Sequence, residues 1–209
     1  MRHATEVFSE WALKGKDSGM EIGHAPSVSE MLDEVIPMLE NGFSAIDLGC
    51  GNGWVVRLLK EMGAGHTEGV DGAIEMIAKA NSIDDNSTYT HAMLPDWSPS
   101  RKFDLVHSME FLYYLHNPAS MLKTIHDEWL TEGGLLVAGV DHYRENKDSL
   151  GWPEHVGVHM TTLSKSQWQE AMVDAGFTEV KIWQAAPKGE FPGTLAMLGR
   201  VGSLQDRTI

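Results

Sequence analysis

A single cysteine, Cys50, leaves the chain without an internal disulfide, and its place inside a glycine-rich turn reads as that of a small residue rather than a redox centre. Basic residues are few. Sixteen Lys and Arg face 30 Asp and Glu, and the resulting net charge of -14 repels phosphate backbones, which sets nucleic acid aside as a large-surface partner. No apolar run reaches the roughly 18 to 20 residues of a membrane span, and the stretch from Met1 to Glu6 has no apolar signal-peptide core. A linker or low-complexity tract is also missing. These absences point to one cytoplasmic domain over residues 1–209, away from membranes, meeting small ligands.

What is present centres on Ala45-Ile46-Asp47-Leu48-Gly49-Cys50-Gly51-Asn52-Gly53-Trp54, a short apolar run, then glycines at alternate positions, then a helical pattern. Glycine takes positive φ without steric cost and lacks the Cβ that holds a ligand off the main chain. The turn therefore reads as a backbone binding surface at the carboxyl end of a first strand. A dinucleotide turn has a third glycine where this chain has Trp54 or Val56, which argues against a pyrophosphate ligand. Asp71 stands close to the roughly 20-residue spacing of a ribose-binding carboxylate. Asp47 adds a second carboxylate, suited to holding the loop or an ammonium group. The two together describe an amino acid joined to a nucleoside.

Ala45 to Gly53, with Gly69-Val70-Asp71, resembles the cofactor signature of class I S-adenosylmethionine-dependent methyltransferases, and the order of later segments agrees over nearly the whole chain. The resemblance implies an α/β fold, a Rossmann-like doubly wound sheet of seven strands, mostly parallel with an antiparallel C-terminal hairpin and helices on both faces. It implies S-adenosyl-L-methionine as cofactor and S-adenosyl-L-homocysteine as product. The methionyl part would lie against Asp47, Gly49, Cys50, Gly51, Asn52 and Gly53, and the ribose against Asp71 and Gly72. Met93 and Leu94 would flank the adenine, with Ser108 at the end of the fourth strand completing the cofactor set. Residues 1–40 would form a helical lid, with Trp11, Met20 and His24 over the methionyl end. Many relatives carry an Asp just after the third strand, where this chain has His91 and Ala92 and the nearest acid is Asp96.

Periodicity supplies the remaining elements. Ser27-x-x-Glu30 reads as a capping box opening a helix whose stripe is Val28, Met31, Leu32, Val35, Ile36 and Leu39, with Pro37 kinking its last turn. Helices are also expected with Val55, Val56, Leu58, Leu59 and Met62 on the sheet, and over 72–80 with Ile74 and Ile77 in the core. Asn117-Pro118 and Ser164-x-x-Gln167 open two more. Strands are expected at 89–92, 103–108, 135–140, 177–185 and 194–200, with Gly133-Gly134 ending the linker before the third of these. Residues 142–163 read as an irregular, substrate-covering insertion.

Residues just past the fourth and fifth strands face the cofactor in such a sheet. Glu110, Tyr113 and Tyr114 after the fourth combine a carboxylate with two aromatic hydroxyls. Asp141 and His142 after the fifth, with His159 in the covering segment, complete the set from which a general base would come. His142, His155 and His159 lack the H-E-x-x-H spacing and any cysteine partner, so no metal is expected. The expected chemistry is in-line transfer of the sulfonium methyl to a small-molecule acceptor, neutral or cationic given the acidic and aromatic lining. Two other readings stand beside it: a protein that binds the cofactor without transfer, and a nicotinamide-dependent oxidoreductase on a similar sheet. The sequence leaves oligomeric state open.

Overall fold

The computed structural model describes residues 1–202. Its strands are β1 (Ser44–Leu48), β2 (His66–Asp71), β3 (Thr88–His91), β4 (Phe103–Met109), β5 (Leu130–Val140), β6 (Thr178–Ala185) and β7 (Thr194–Arg200). Helices are α1 (Ala4–Leu13), α2 (Asp17–Val35), α3 (Trp54–Glu61), α4 (Ile74–Ile83), α5 (Pro118–Thr124), α6 (Trp152–Val156) and α7 (Lys165–Asp174). The sheet runs β3-β2-β1-β4-β5-β7-β6, parallel throughout except for β7, which lies antiparallel between β5 and β6. This is the expected doubly wound sheet. The chain leaves β1 toward β2 and β3 and then crosses back to β4, so strand order reverses between β1 and β4 and opens a crevice at their carboxyl ends.

The runs that read as buried on both faces are so. On β5, Leu135 and Val137 join Val28, Met31 and Leu32 of α2 and Val55 and Leu59 of α3. Leu136 and Ala138 face the other way, onto Met121 and Leu122 of α5 and Trp168 and Met172 of α7. Alternation along a strand produces this split. By the same alternation Asp47 and His107, partners in register on β1 and β4, lie on the face that α2 covers.

Local signals at several helix starts hold. Asn117 Oδ1 accepts from Ser120 N–H with Pro118 at the first turn, and Ser164 and Gln167 form a reciprocal capping box. The Ser27 box does not form. α2 begins ten residues earlier, at Asp17, and carries Pro26 in its interior. Proline leaves the carbonyl of Ile22 without a helical donor, and Ile22 lies on the exposed side where water can serve it. Ser27 instead lies buried 2.7 Å from Thr194 Oγ1, and Glu30 accepts from Trp183 Nε1 and the Ala186 N–H. At Pro37 the helix tightens into a 3-10 turn, Ile36–Met38.

Three further expectations are corrected. Gly133-Gly134 lies inside β5, where Gly133 takes φ 73° and the register with β4 shifts, so the pair makes an irregularity rather than a terminus. Ile74, expected in the core, is exposed on α4 while Ile77 is buried. The stretch 147–156 is not irregular: it folds as a 3-10 turn, Lys147–Gly151, running into α6.

Candidate active site

Gly49, Gly51 and Gly53 take φ of 69°, 53° and 78°, the left-handed region the sequence predicts for them. Their reasons differ. A Cβ at Gly49 would meet the Phe111 side chain at 2.6 Å, and one at Gly53 the Tyr89 ring at 2.4 Å, whereas at Gly51 the nearest atom is Met76 Sδ at 3.9 Å. The outer glycines let the protein pack on itself, and the middle one leaves main chain bare for a ligand.

Asp71 closes this loop from the end of β2. Its Oδ2 accepts from Gly51 N–H at 2.9 Å and its Oδ1 from Ala73 N–H at 2.7 Å. Burial pushes its carboxyl above the ordinary range against the pull of those two bonds. Asp47 is buried with Oδ1 2.6 Å from His107 Nδ1. Cys50 is buried, and desolvation followed by the charges of Asp71 and Asp47 raises its thiol well above the ordinary value. It is an inert filler, as the sequence suggests.

Above the loop lies a cavity of about 1160 Å³. Single small-molecule sites occupy roughly 300 to 1,000 Å³, so this one has room for a cofactor and a second small molecule. Asp47, Gly49, Cys50, Gly51, Asn52, Asp71 and Gly72 line it from the sheet side, and Met93 and Leu94 from the loop after β3. Gly53 and Ser108 are not part of the lining: Gly53 sits under Tyr89, and Ser108 Oγ donates to the Leu48 carbonyl at 3.1 Å.

The N-terminal helices supply the opposite wall through Trp11, Met20 and His24. Asn52 Nδ2 donates to Asp17 Oδ2 at 2.9 Å, and Lys79 Nζ lies 2.6 Å from the same oxygen, so the first residue of α2 is clamped to the glycine loop. Asp17 Oδ1 is buried without a partner and belongs to a cavity-lining residue. An acceptor in that state is costly unless a ligand donor reaches it. On α1, Phe8 sets its ring edge-on to Trp11 and Tyr114, at 5.3 and 5.4 Å between centroids. The N-terminal segment meets a second segment, residues 142–163, where Arg2 N–H donates to the Gly157 carbonyl at 2.9 Å. Trp152, His155, Val156, His159 and Met160 from that second segment also line the cavity.

Past β4, Glu110 holds φ 57°, an uncommon state for a residue with a Cβ. Its Oε1 accepts from the Asp141 N–H, and its Oε2 accepts from the Tyr113 hydroxyl at 2.6 Å; that hydroxyl lies 3.2 Å from the Tyr114 hydroxyl. All three side chains line the cavity. Burial first, then the charge of Asp141, pushes the Glu110 carboxyl well above its usual range.

Asp141 and His142 do not form the second half of the lining. Asp141 lies behind the wall, Oδ1 accepting from Thr194 Oγ1 at 2.6 Å and Oδ2 3.7 Å from His24 Nδ1. His142 points to the other face, fully buried, with Nδ1 3.0 Å from the Ser149 carbonyl and Nε2 2.7 Å from Thr162 Oγ1. Successive side chains leaving a strand diverge in this way. His159 does line the cavity, its ring 3.9 Å from that of His116 and its Nε2 3.0 Å from Thr161 Oγ1. Among the described residues no three His, Cys, Asp or Glu side chains gather as a metal site.

Residues 20–182 match the family described as a methyltransferase domain. Trans-aconitate 2-methyltransferase of Agrobacterium fabrum (strain C58) is 28% identical over 139 residues, covering 66% of this chain and 51% of that protein. Protein arginine N-methyltransferase 1 of Schizosaccharomyces pombe is 28% identical over 191 residues, covering 81% and 54%. The chain thus spans about half the length of these curated relatives. A solved chain from the complex between the Haloferax volcanii Trm112 methyltransferase activator and a methyltransferase superposes with a TM-score of 0.83 at 29% identity, covering 97% of this chain and 100% of that one. The S-adenosylmethionine dependent methyltransferase from Mesorhizobium loti shares the fold, with a TM-score of 0.67 at 23% identity over 81% and 97%. With the glycine loop, its acidic partner and the reversed strand order in place, the chain belongs to the class I S-adenosylmethionine-dependent methyltransferase family.

Proposed function

We propose that this chain transfers the methyl group of S-adenosylmethionine to a small, neutral or cationic acceptor. One observation carries the reading: the glycine cradle closed by Asp71 and the Glu110-Tyr113-Tyr114 chamber open into a single cavity. The residues present suit the cofactor. Gly51 leaves bare main chain, Asp71 retains lone pairs for ribose hydroxyls, Asp47 and the unpartnered Asp17 Oδ1 suit an ammonium group, and Met93 and Leu94 suit the adenine. When bound, S-adenosylmethionine supplies a sulfonium-activated methyl. The chain's own contribution is to hold an acceptor in line and to keep water out, which lowers the barrier without a covalent enzyme intermediate.

Charge narrows the acceptor. Asp17, Glu21, Asp47, Asp71 and Asp96 line the cavity, and among the described residues the one lining guanidinium, Arg2, is taken by Glu6 and Glu10. A polycarboxylate such as the acceptor in the name of the Agrobacterium relative would enter against that field. Residues 1–40 act as the lid and residues 142–163 as the acceptor cover in this account, consistent with their places around the cavity. The absence of a long apolar helix among the described residues is compatible with a cytoplasmic setting.

A second reading rests on the likeness to the Haloferax chain, solved with an activator, and on the arginine methyltransferase relative: a protein partner, with a larger acceptor. Incubation with methyl-labelled S-adenosylmethionine and separate panels of phenols, amines, heterocycles, polycarboxylates and arginine-rich peptides distinguishes the two. Label in a phenol, amine or heterocycle supports the main reading. Label confined to peptides favours the second, and cofactor binding without label anywhere favours a non-transferring binder.

A further inference from the structure

Asp141 joins the two arms of the chamber. Its backbone N–H donates to Glu110 Oε1, its Oδ1 accepts from Thr194 Oγ1, and its Oδ2 faces His24 Nδ1 at 3.7 Å. His24 reaches this point from α2, and its ring lines the cavity with a quarter of its surface exposed. Nδ1 is the ring nitrogen that meets the carboxylate, at ion-pair range, and among the described residues no hydrogen bond engages either ring nitrogen. A carboxylate beside Nδ1 favours the Nδ1–H tautomer, and an imidazole in that form takes a proton through Nε2.

We infer that His24 is the general base of this site and Asp141 its positioning residue, an inference that rests on the methyl-transfer reading above. This moves His24 from a cofactor lid to the acceptor. Glu110 is less suited to the task. Both its oxygens are already held, one by the Asp141 N–H and one by the Tyr113 hydroxyl, and burial drives its carboxyl toward the neutral form. Desolvation lowers His24, outweighing the opposing pull of Asp141, and so favours the unprotonated ring a base requires. At 3.7 Å the two groups are in ion-pair range and longer than a hydrogen bond; catalytic hydrogen bonds are often long without ligands and tighten to about 2.6 to 3.2 Å when they bind.

The step balances as follows for an acceptor X–H. The proton passes from X to His24 Nε2, and the lone pair left on X forms the bond to the methyl carbon. The carbon–sulfur bond breaks with its electron pair going to sulfur, which turns the sulfonium into a neutral thioether. The imidazolium, stabilised by Asp141, then releases its proton to solvent.

The test uses the full chain with S-adenosylhomocysteine as the probe. Histidine is labelled with nitrogen-15 and the His24 tautomer is read by long-range proton–nitrogen NMR in the wild type and in Asp141→Asn. Calorimetry gives S-adenosylhomocysteine affinity for both and for His24→Gln. Diethylpyrocarbonate labelling of the bound protein, mapped by mass spectrometry, reports whether Nε2 still faces open space. The wild type should show Nδ1–H and a reactive Nε2. Asp141→Asn, whose amide donates where the carboxylate accepted, should move the proton to Nε2 and slow the labelling, with affinity within about threefold in both variants, under 1 kcal/mol. An Nε2–H tautomer in the wild type, unreactive His24, a tautomer or labelling rate that Asp141→Asn leaves unchanged, or an affinity loss of about tenfold or more in His24→Gln overturns the inference while leaving methyl transfer standing. Failure of the wild type to bind S-adenosylhomocysteine overturns the underlying reading instead.

Discussion

His107 Nδ1 lies 2.6 Å from Asp47 Oδ1, with both side chains buried at partnered positions of β4 and β1. The pair fixes one oxygen of a carboxylate that also belongs to the cavity wall. His107→Ala removes the side-chain partner of Asp47 and leaves a buried polar group uncompensated. It should destabilise the fold by about 2 to 4 kcal/mol in urea unfolding. Asp47→Asn keeps an acceptor facing His107 and should cost less, about 1 kcal/mol. A loss in Asp47→Asn as large as that in His107→Ala would show that His107 requires the charge of the carboxylate and not merely an acceptor at that position.

Substitution in the glycine turn should separate binding from stability. Gly51→Ala meets nothing closer than Met76 Sδ at 3.9 Å, so its cost to folding is the left-handed strain of about 1 to 2 kcal/mol, while the new methyl faces the ligand space. Gly53→Ala must displace the Tyr89 ring from 2.4 Å in addition to the same strain. Thermal unfolding should therefore fall further for Gly53→Ala, and cofactor affinity, read by calorimetry, further for Gly51→Ala. The reverse ranking would contradict the division of labour among these glycines.

Glu110 predicts a pH dependence of stability. Its folded carboxyl is raised above the ordinary 4.5, so in the window above that value the native state keeps a proton that the unfolded chain has released. Stability from this group is full below the window and is lost as pH rises through the folded value. Glu110→Gln removes the titration. Relative to wild type, this variant should gain stability as pH goes from about 5 to about 8 in urea titrations. A difference that stays flat, or that moves the other way, would mean the Glu110 carboxyl is not buried as described.

The sheet and the cofactor corner are legible in the sequence because their signals are local. A strand ending in alternate glycines, and an acid one βα unit later, mark the loop and Asp71 as parts of one corner, whereas the bond from Gly51 N–H to Asp71 at 2.9 Å emerges only in the fold. The face of a side chain beyond a strand end is less legible. Asp141 and His142 are neighbours of equal polarity, and only the packing of α2 on one side and the Lys147–Gly151 turn on the other sends them apart. The α2 start is hidden for a different reason. Pro26 imitates a helix boundary, and Ser27 and Glu30 imitate a cap, while their actual partners, Thr194 and Trp183, lie more than 150 residues away. His107 and Asp17 carry no motif at all, and their roles emerge only from register with Asp47 and contact with Asn52.

The central claim is that the β1 turn and Asp71 form a site for an adenosine bearing an amino-acid tail. Calorimetric titration of the wild type and Asp71→Ala with S-adenosylmethionine and with NAD tests it most directly. The account predicts micromolar or tighter binding of S-adenosylmethionine, none of NAD, and a loss of about 1 to 3 kcal/mol of binding free energy in Asp71→Ala. Binding of NAD in place of S-adenosylmethionine, or an Asp71→Ala variant that binds as well as the wild type, would contradict it.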